Sequence, residues 1–234
     1  MNEAFVSHEH IYERILEGYI RNGSIVPRPE YSSNTQTVMA VSGAASLGKS
    51  TLCREFESYL RNMGLDTAHV QLDGYLMPRG ERKKLRDPEN PLQELSGNDP
   101  NATDLEKLVN DMERLLFFGQ TIDLPLYDHT DGTISGSIQV SPAQIVLLDG
   151  TIAFHESVRE KFPNFLIFMY SDEETMKALS MEVDIRERGY SINEARKNSE
   201  TEFIAYMRHI HPRMRFADLR LFVHRNRTMS IDTH

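Results

Sequence analysis

V41-S-G-A-A-S-L-G-K-S-T51 contains a glycine, four residues, and then Gly48-Lys49-Ser50. Glycines at this spacing let backbone N–H groups curl around phosphate oxygens, and a helix that starts at Lys49 adds its positive end. A lysine in that position reaches the β- and γ-phosphates, and the Ser50 hydroxyl is placed to ligate magnesium. The stretch follows T-V-M-A-V-S (37–42), which reads as an apolar strand, and precedes a helical pattern from Lys49 to Arg61. Strand, glycine-rich turn and helix in that order are what phosphate binding requires. Gly43, Ala44, Ala45, Ser46, Leu47, Gly48, Lys49, Ser50 and Thr51 are therefore read together as a P-loop that cradles the phosphates of a nucleotide.

Outward from this loop the chain alternates between strands and helices. A-H-V-Q-L-D (68–73) is a second strand, followed by a polar loop. Residues 102–118 have helical spacing through Leu105, Leu108, Met112, Leu115 and Leu116. T-I-S-G-S-I-Q-V (133–140) reads as part of a hairpin, and I-V-L-L-D (145–149) and F-L-I-F-M-Y (165–170) as buried strands. Helical patterns occupy 172–187 and 192–208, and L-R-L-F-V-H (219–224) is a last strand. Continuous apolar strands between helices imply a mostly parallel sheet with helices on both faces, the three-layer α/β fold of P-loop NTPases. Ahead of it, residues 8–20 place Ile11, Ile15, Leu16 and Ile20 on one helical face, and 21–34 are rich in Gly, Pro and Ser. Residues 1–35 are thus read as a helix and linker packed on the main domain, 36–234.

Composition narrows the function classes. Among 234 residues, 26 Lys and Arg face 35 Asp and Glu, a formal net charge of −9. A surface of that sign repels a polyanion, so nucleic acid is not expected as a partner. The one cysteine, Cys53, has no intramolecular partner, which points to a reducing compartment and to a small buried residue on the helix after the loop. No apolar run approaches the roughly 20 residues of a membrane span, and the first residues show no signal-peptide pattern. The expectation is a cytoplasmic protein without a membrane partner, with a homo-oligomer left open.

Two acidic residues follow strands. Leu72-Asp73-Gly74-Tyr75 comes directly after the second strand, and ligands of doubly wound sheets bind beyond the carboxyl ends of the strands. Asp73 should then share an edge with the P-loop, where a carboxylate accepts a proton from an attacking hydroxyl or helps hold magnesium. An Asp-Gly turn is the simpler alternative. Ile145-Val-Leu-Leu-Asp149-Gly150 is an apolar strand ending in an acid, the Walker-B arrangement, with Asp149 contacting the metal. Three strands delivering phosphate- or metal-competent residues to one edge support an enzyme.

In this order the motifs resemble those of the uridine kinase / phosphoribulokinase family of P-loop kinases, which includes bacterial-type pantothenate kinase. The resemblance rests on G43-A-A-S-L-G-K-S-T51, L72-D-G-Y75, N98-D-P-N-A-T-D104, Pro125-Leu-Tyr-Asp-His129, V146-L-L-D-G-T-I-A-F154, D184-I-R-E-R-G189 and H211-P-R-M-R-F-A-D218. It covers about residues 36–226. It implies an ATP- and Mg2+-dependent kinase of a small-molecule hydroxyl. Asp73 would be the general base and Tyr75, Asp104, Tyr127 and His129 would contact the acceptor. Arg186 and Arg188 would belong to a lid near 178–190 that closes over the phosphates.

The residues themselves keep alternatives open. Asp104 can instead support the first turn of its helix, and Tyr127 and His129, two apart on an extended segment, face one side. Arg186 and Arg188 diverge on a regular helix unless Gly189 ends it; otherwise Arg188 forms a surface ion pair with Asp184. The lid segment A178-L-S-M-E-V183 has no basic residue, and T130-D-G-T-I-S-G-S137 is small and acidic where uridine kinases carry a His and an Arg. The basic loop 78–86 suits an acceptor bearing a carboxylate or phosphate. Uridine, pantothenate and a sugar-type acceptor therefore all stand, and a nucleotide-binding regulatory protein that has lost transfer is the alternative from another class.

Overall fold

The computed structural model describes residues 7–21, 36–88, 90–163 and 165–232. The first residues and the connector 22–35 lie outside these, as does the side chain of Ile20. The N-terminal helix α1 (His8–Arg21) buries Ile11 and Ile15 completely, with Leu16 partly covered. Tyr12 completes that face. Its hydroxyl donates to Glu55 at 2.7 Å and its ring stacks on Phe56, so α1 is held on the helix that follows the P-loop.

A six-stranded sheet is the centre of the fold, in the order β10-β9-β8-β1-β7-β2. The strands are β1 (Thr37–Gly43), β2 (Thr67–Gln71), β7 (Ile145–Asp149), β8 (Phe165–Tyr170), β9 (Leu219–Val223) and β10 (Met229–Asp232). All neighbours run parallel except β9 and β10. β1, β7 and β8 are almost wholly buried, which is why they read as unbroken apolar runs rather than alternating ones. Helices α2 (Lys49–Asn62), α4 (Leu105–Leu116), α6 (Glu173–Arg188) and α7 (Ile192–Ala205) pack around the sheet, with short helices α3 (Arg79–Arg82) and α5 (Glu156–Arg159) in the connections. The α/β P-loop fold expected from the sequence is the fold observed.

Three features differ from the sequence reading. The polar loop after β2 contains a small hairpin, β3 (Arg86–Asp87) with β4 (Asn90–Glu94), too short and too polar for a period to show. The last helical pattern breaks at Ala205 into a wider turn, Tyr206–Ile210, ahead of Pro212. An antiparallel edge strand, β10, follows β9 through a turn with Arg227 at φ 66°.

A second hairpin, β5 (Ile122–Asp128) with β6 (Thr133–Val140), positions the site. It crosses directly over the turn that follows β2. A Cβ on Gly74 would lie 2.1 Å from the Pro125 carbonyl oxygen, so only glycine allows this approach. The crossing brings the residues after Pro125 against Asp73.

Candidate active site

The P-loop joins β1 to α2 through backbone conformations that its sequence supports. Gly43 (φ 135°) sits so close to β8 that a Cβ would clash with the Met169 carbonyl, and Gly48 (φ 90°) turns the chain into the helix. Ala44 and Leu47 are buried beneath the loop. Lys49 is buried at the first position of α2, its Nζ donating to the Ala44 carbonyl at 2.9 Å. A buried lysine held by one neutral carbonyl has donors left for an anion. The Ser46 hydroxyl is also buried, with no hydrogen-bond partner among the described residues. Ser50 is half-buried and Thr51 is exposed on α2.

Beside this loop lies a cavity of about 170 Å³ whose lining includes Ala45, Asp73, Arg82, Tyr127, His129 and Arg188. Asp73 stands in the single 3-10 turn Leu72–Tyr75 at the carboxyl end of β2. Its Oδ2 is 3.2 Å from His129 Nε2. Desolvation raises the Asp73 carboxyl, but the hydrogen bond and charge of His129, with the charges of Lys49 and Arg188, outweigh it and hold the group below the usual carboxylate range. The carboxylate is therefore ionised and aimed into the cavity. Tyr127 packs edge-on against His129 at 5.0 Å between centroids and accepts a 2.8 Å hydrogen bond from Arg82. The expectation that Tyr127 and His129 face one side agrees with this geometry.

Arg188 lines the same cavity, and its pair with Asp184 is not a surface one. Asp184 is fully buried, accepting from Arg188 at 2.6 Å and from Asn198 of α7 at 2.7 Å. Gly189, at φ 69°, ends α6 immediately afterwards. The Arg188 Nε is buried and has no partner among the described residues, a donor available to an anion in the cleft.

Three of the expected site residues are placed otherwise. Tyr75 is buried away from the cavity, where its hydroxyl donates to Asp111 at 3.1 Å and burial pushes its phenol far above the ordinary range. Asp104 is exposed and caps α4, accepting from the Lys107 backbone N–H at 3.0 Å, a contact worth about 1 kcal/mol. Arg186 is drawn outward by Glu182 and Glu187 at 3.1 and 2.6 Å. Arg186 and Arg188 diverge because residues two apart on a helix point to different sides.

From the basic loop 78–86, which the sequence offered as an acceptor contact, Arg79, Arg82 and Lys83 stand in the cavity wall, whereas Asn98, Thr151 and Glu202, also in that wall, were not among the expected site residues. Arg79 donates to the His129 and Thr130 carbonyls, which fixes the hairpin tip. Asn98 donates to Glu202 at 2.8 Å, tying the 95–98 loop to α7. Asn98 opens the motif N98-D-P-N-A-T-D104 but carried no expected role of its own, and no sequence signal marks Glu202.

Asp149 ends β7 with only 3% of its surface exposed. Its Oδ2 is 3.3 Å from His69 Nε2, and its Oδ1 is buried without a partner among the described residues. Ser50 and Asp149 are hard oxygen donors, the type magnesium takes, and an unsatisfied carboxylate oxygen fits an ion or its water. These residues fit the role expected of them.

The chain matches the phosphoribulokinase / uridine kinase family over residues 38–231. It is 28% identical over 193 residues to a uridine kinase from Ligilactobacillus salivarius, covering 80% of this chain and 84% of that one. Among solved structures, D-glycerate 3-kinase from Cryptococcus neoformans superposes with a TM-score of 0.66 at 14% identity, covering 96% of this chain and 99% of that one. Phosphoribulokinase from Rhodobacter spheroides gives 0.62 at 16%, covering 80% and 70%.

Proposed function

The chain belongs to the phosphoribulokinase / uridine kinase family, phosphotransferases that act on a hydroxyl group, and on that premise we propose that it moves the γ-phosphoryl group of ATP to a hydroxyl of a small anionic metabolite. The observation that carries this reading is the cavity itself. An ionised Asp73 faces a wall that includes Arg79, Arg82, Lys83 and Arg188, on the sheet edge that also carries Lys49. Two carboxylates share that wall. Burial raises the Glu202 carboxyl against the opposing pull of Arg82 and Arg188, and Glu94 is exposed. The balance favours an acceptor bearing a carboxylate or phosphate over a neutral nucleoside.

In this reading Asp73 accepts the acceptor hydroxyl and orients its oxygen toward the γ-phosphorus. Phosphoryl transfer has a loose transition state in which positioning and charge stabilisation outweigh proton removal. A carboxylate of low basicity held by His129 suits that task. Lys49 and Arg188 neutralise the charge that spreads over the phosphoryl oxygens. Ser50 and Asp149 would hold Mg2+, which would supply Lewis-acid stabilisation of those oxygens.

The test is ADP release with ATP and Mg2+ across uridine, pantothenate, glycerate and sugar phosphates. Carboxylate- or phosphate-bearing acceptors should stimulate it; stimulation by uridine alone refutes the anionic acceptor. Arg82→Glu should raise the KM of the anionic acceptor about 10- to 100-fold, the worth of one charge-assisted hydrogen bond. Arg86→Glu should leave that KM unchanged, because Arg86 is exposed and donates to the Lys83 carbonyl instead.

A further inference from the structure

Behind the phosphate site, three side chains that differ in chemistry converge in a way that phosphate transfer does not require. Cys53 comes from the second turn of α2, His69 from β2 and Asp149 from the end of β7. One ligand atom from each, a sulfur, a ring nitrogen and a carboxylate oxygen, lies within 4.8 Å of the other two. Their side chains are secluded: Cys53 is 1% exposed, Asp149 is 3% exposed and the His69 side chain is 9% exposed. We propose that Cys53, His69 and Asp149 form a binding site for a thiophilic divalent transition-metal ion, zinc foremost.

Geometry supports the assignment. Metal–ligand bonds of about 2.0–2.3 Å put neighbouring tetrahedral ligands roughly 3.3–3.8 Å apart. The His69–Asp149 separation of 3.3 Å already matches one edge. The others are no longer than 4.8 Å, about 1 Å beyond such an edge. The other Asp149 oxygen, Oδ1, is buried without a partner among the described residues, so the carboxylate has lone pairs unused by the protein. Sulfur, imidazole and carboxylate together favour zinc, cobalt or copper and exclude magnesium, which takes oxygen ligands. His69 also forms part of the wall of a groove of about 580 Å³ along the β2 edge, beside Arg54, Glu57 and Gln139. Of the three residues, His69 is the one that meets this groove, so it is the side from which an ion would approach.

Neither of the other roles for such a cysteine fits. Cys53 is the only cysteine, so no intramolecular disulfide forms. As a nucleophile it would need a thiolate and access, but it is enclosed and burial pushes its thiol well above the ordinary range. Without metal it stays a thiol; when the metal–sulfur bond forms, the S–H proton leaves to solvent. The consequence for catalysis rests on the proposed role of Asp149. A carboxylate held by a transition metal beside Cys53 is withdrawn from magnesium, so the site makes the kinase sensitive to zinc.

Cobalt titration of the full chain without nucleotide tests the site independently of that role. A thiolate-to-cobalt charge-transfer band in the near ultraviolet, with the strong visible bands of four-coordinate cobalt, is expected, and zinc should abolish both. Cys53→Ala should remove the charge-transfer band, and His69→Gln should weaken cobalt binding at least about 10-fold. Absence of the band in the parent chain, or its survival in folded Cys53→Ala, overturns the site. If Cys53→Ala does not fold, unchanged cobalt affinity in His69→Gln overturns it equally. In assays, zinc should inhibit the parent chain and excess magnesium should relieve it. A bound metal without inhibition would leave the site standing and refute the role of Asp149 in magnesium binding.

Discussion

Asp73→Asn is expected to lower kcat by about 10²- to 10⁴-fold, the usual worth of a positioned proton acceptor, while ATP affinity stays near that of the parent chain. Asparagine keeps the shape of the turn Leu72–Tyr75 but lacks both the charge that orients the acceptor hydroxyl and the basicity to take its proton. Measured kcat and ATP dissociation constants decide the matter, and a variant of full activity removes Asp73 from the mechanism. The companion variant His129→Ala changes the pH profile. In the parent chain the carboxyl is held below its ordinary value, so activity is present above that depressed pKa and is lost as pH falls through it. Without His129 the partial burial of Asp73 remains and its chief stabilising contact is gone, so the acid limb of kcat/KM moves to higher pH. The same sign applies to folding. The contribution of ionised Asp73 to stability is present above the unfolded carboxyl pKa and lost as pH falls through the folded one. An acid limb that stays in place would show that His129 does not hold Asp73 ionised.

Lys49→Ala is expected to cost at least about 10²–10³ in kcat, the range for one preorganised donor aimed at transition-state charge, and to weaken ATP as well. The lysine is buried, so its removal takes away both a charge and a buried alkyl stem. Lys49→Met separates the two: it keeps most of the stem and should show the same loss of transfer with smaller loss of thermal stability. Calorimetric ATP binding and steady-state ADP release read the two effects. Activity within a few-fold of the parent in both variants would deny the loop its lysine function.

How much of the site could be read beforehand follows from how local each signal is. Gly43, Gly48 and Lys49 were legible because turn chemistry and strand–loop–helix order are written in adjacent residues. The burial of β1, β7 and β8 was legible because a parallel sheet covered on both faces leaves its strands uniformly apolar. The placing of Tyr75 was not legible because the motif L-D-G-Y does not say which side of a tight turn each residue takes; the partner that decides it, Asp111, lies 36 positions away. Asp104 carried two readings, and the structure shows the local one, a helix cap.

By itself, then, the sequence determined the α/β P-loop fold, the phosphate-binding loop and the acidic residues at the strand ends, because each depends on periodicity or on residues a few positions apart. Tertiary structure alone decided that Gly74 lets the β5–β6 hairpin bring His129 onto Asp73. It also decided that Asp184 is buried beneath Arg188 and that Cys53, His69 and Asp149 meet. The physical reason is one of range. Backbone preferences act within a few residues, whereas charges, hydrogen bonds and metal ligands act between side chains that come together only once the sheet and its hairpin have packed.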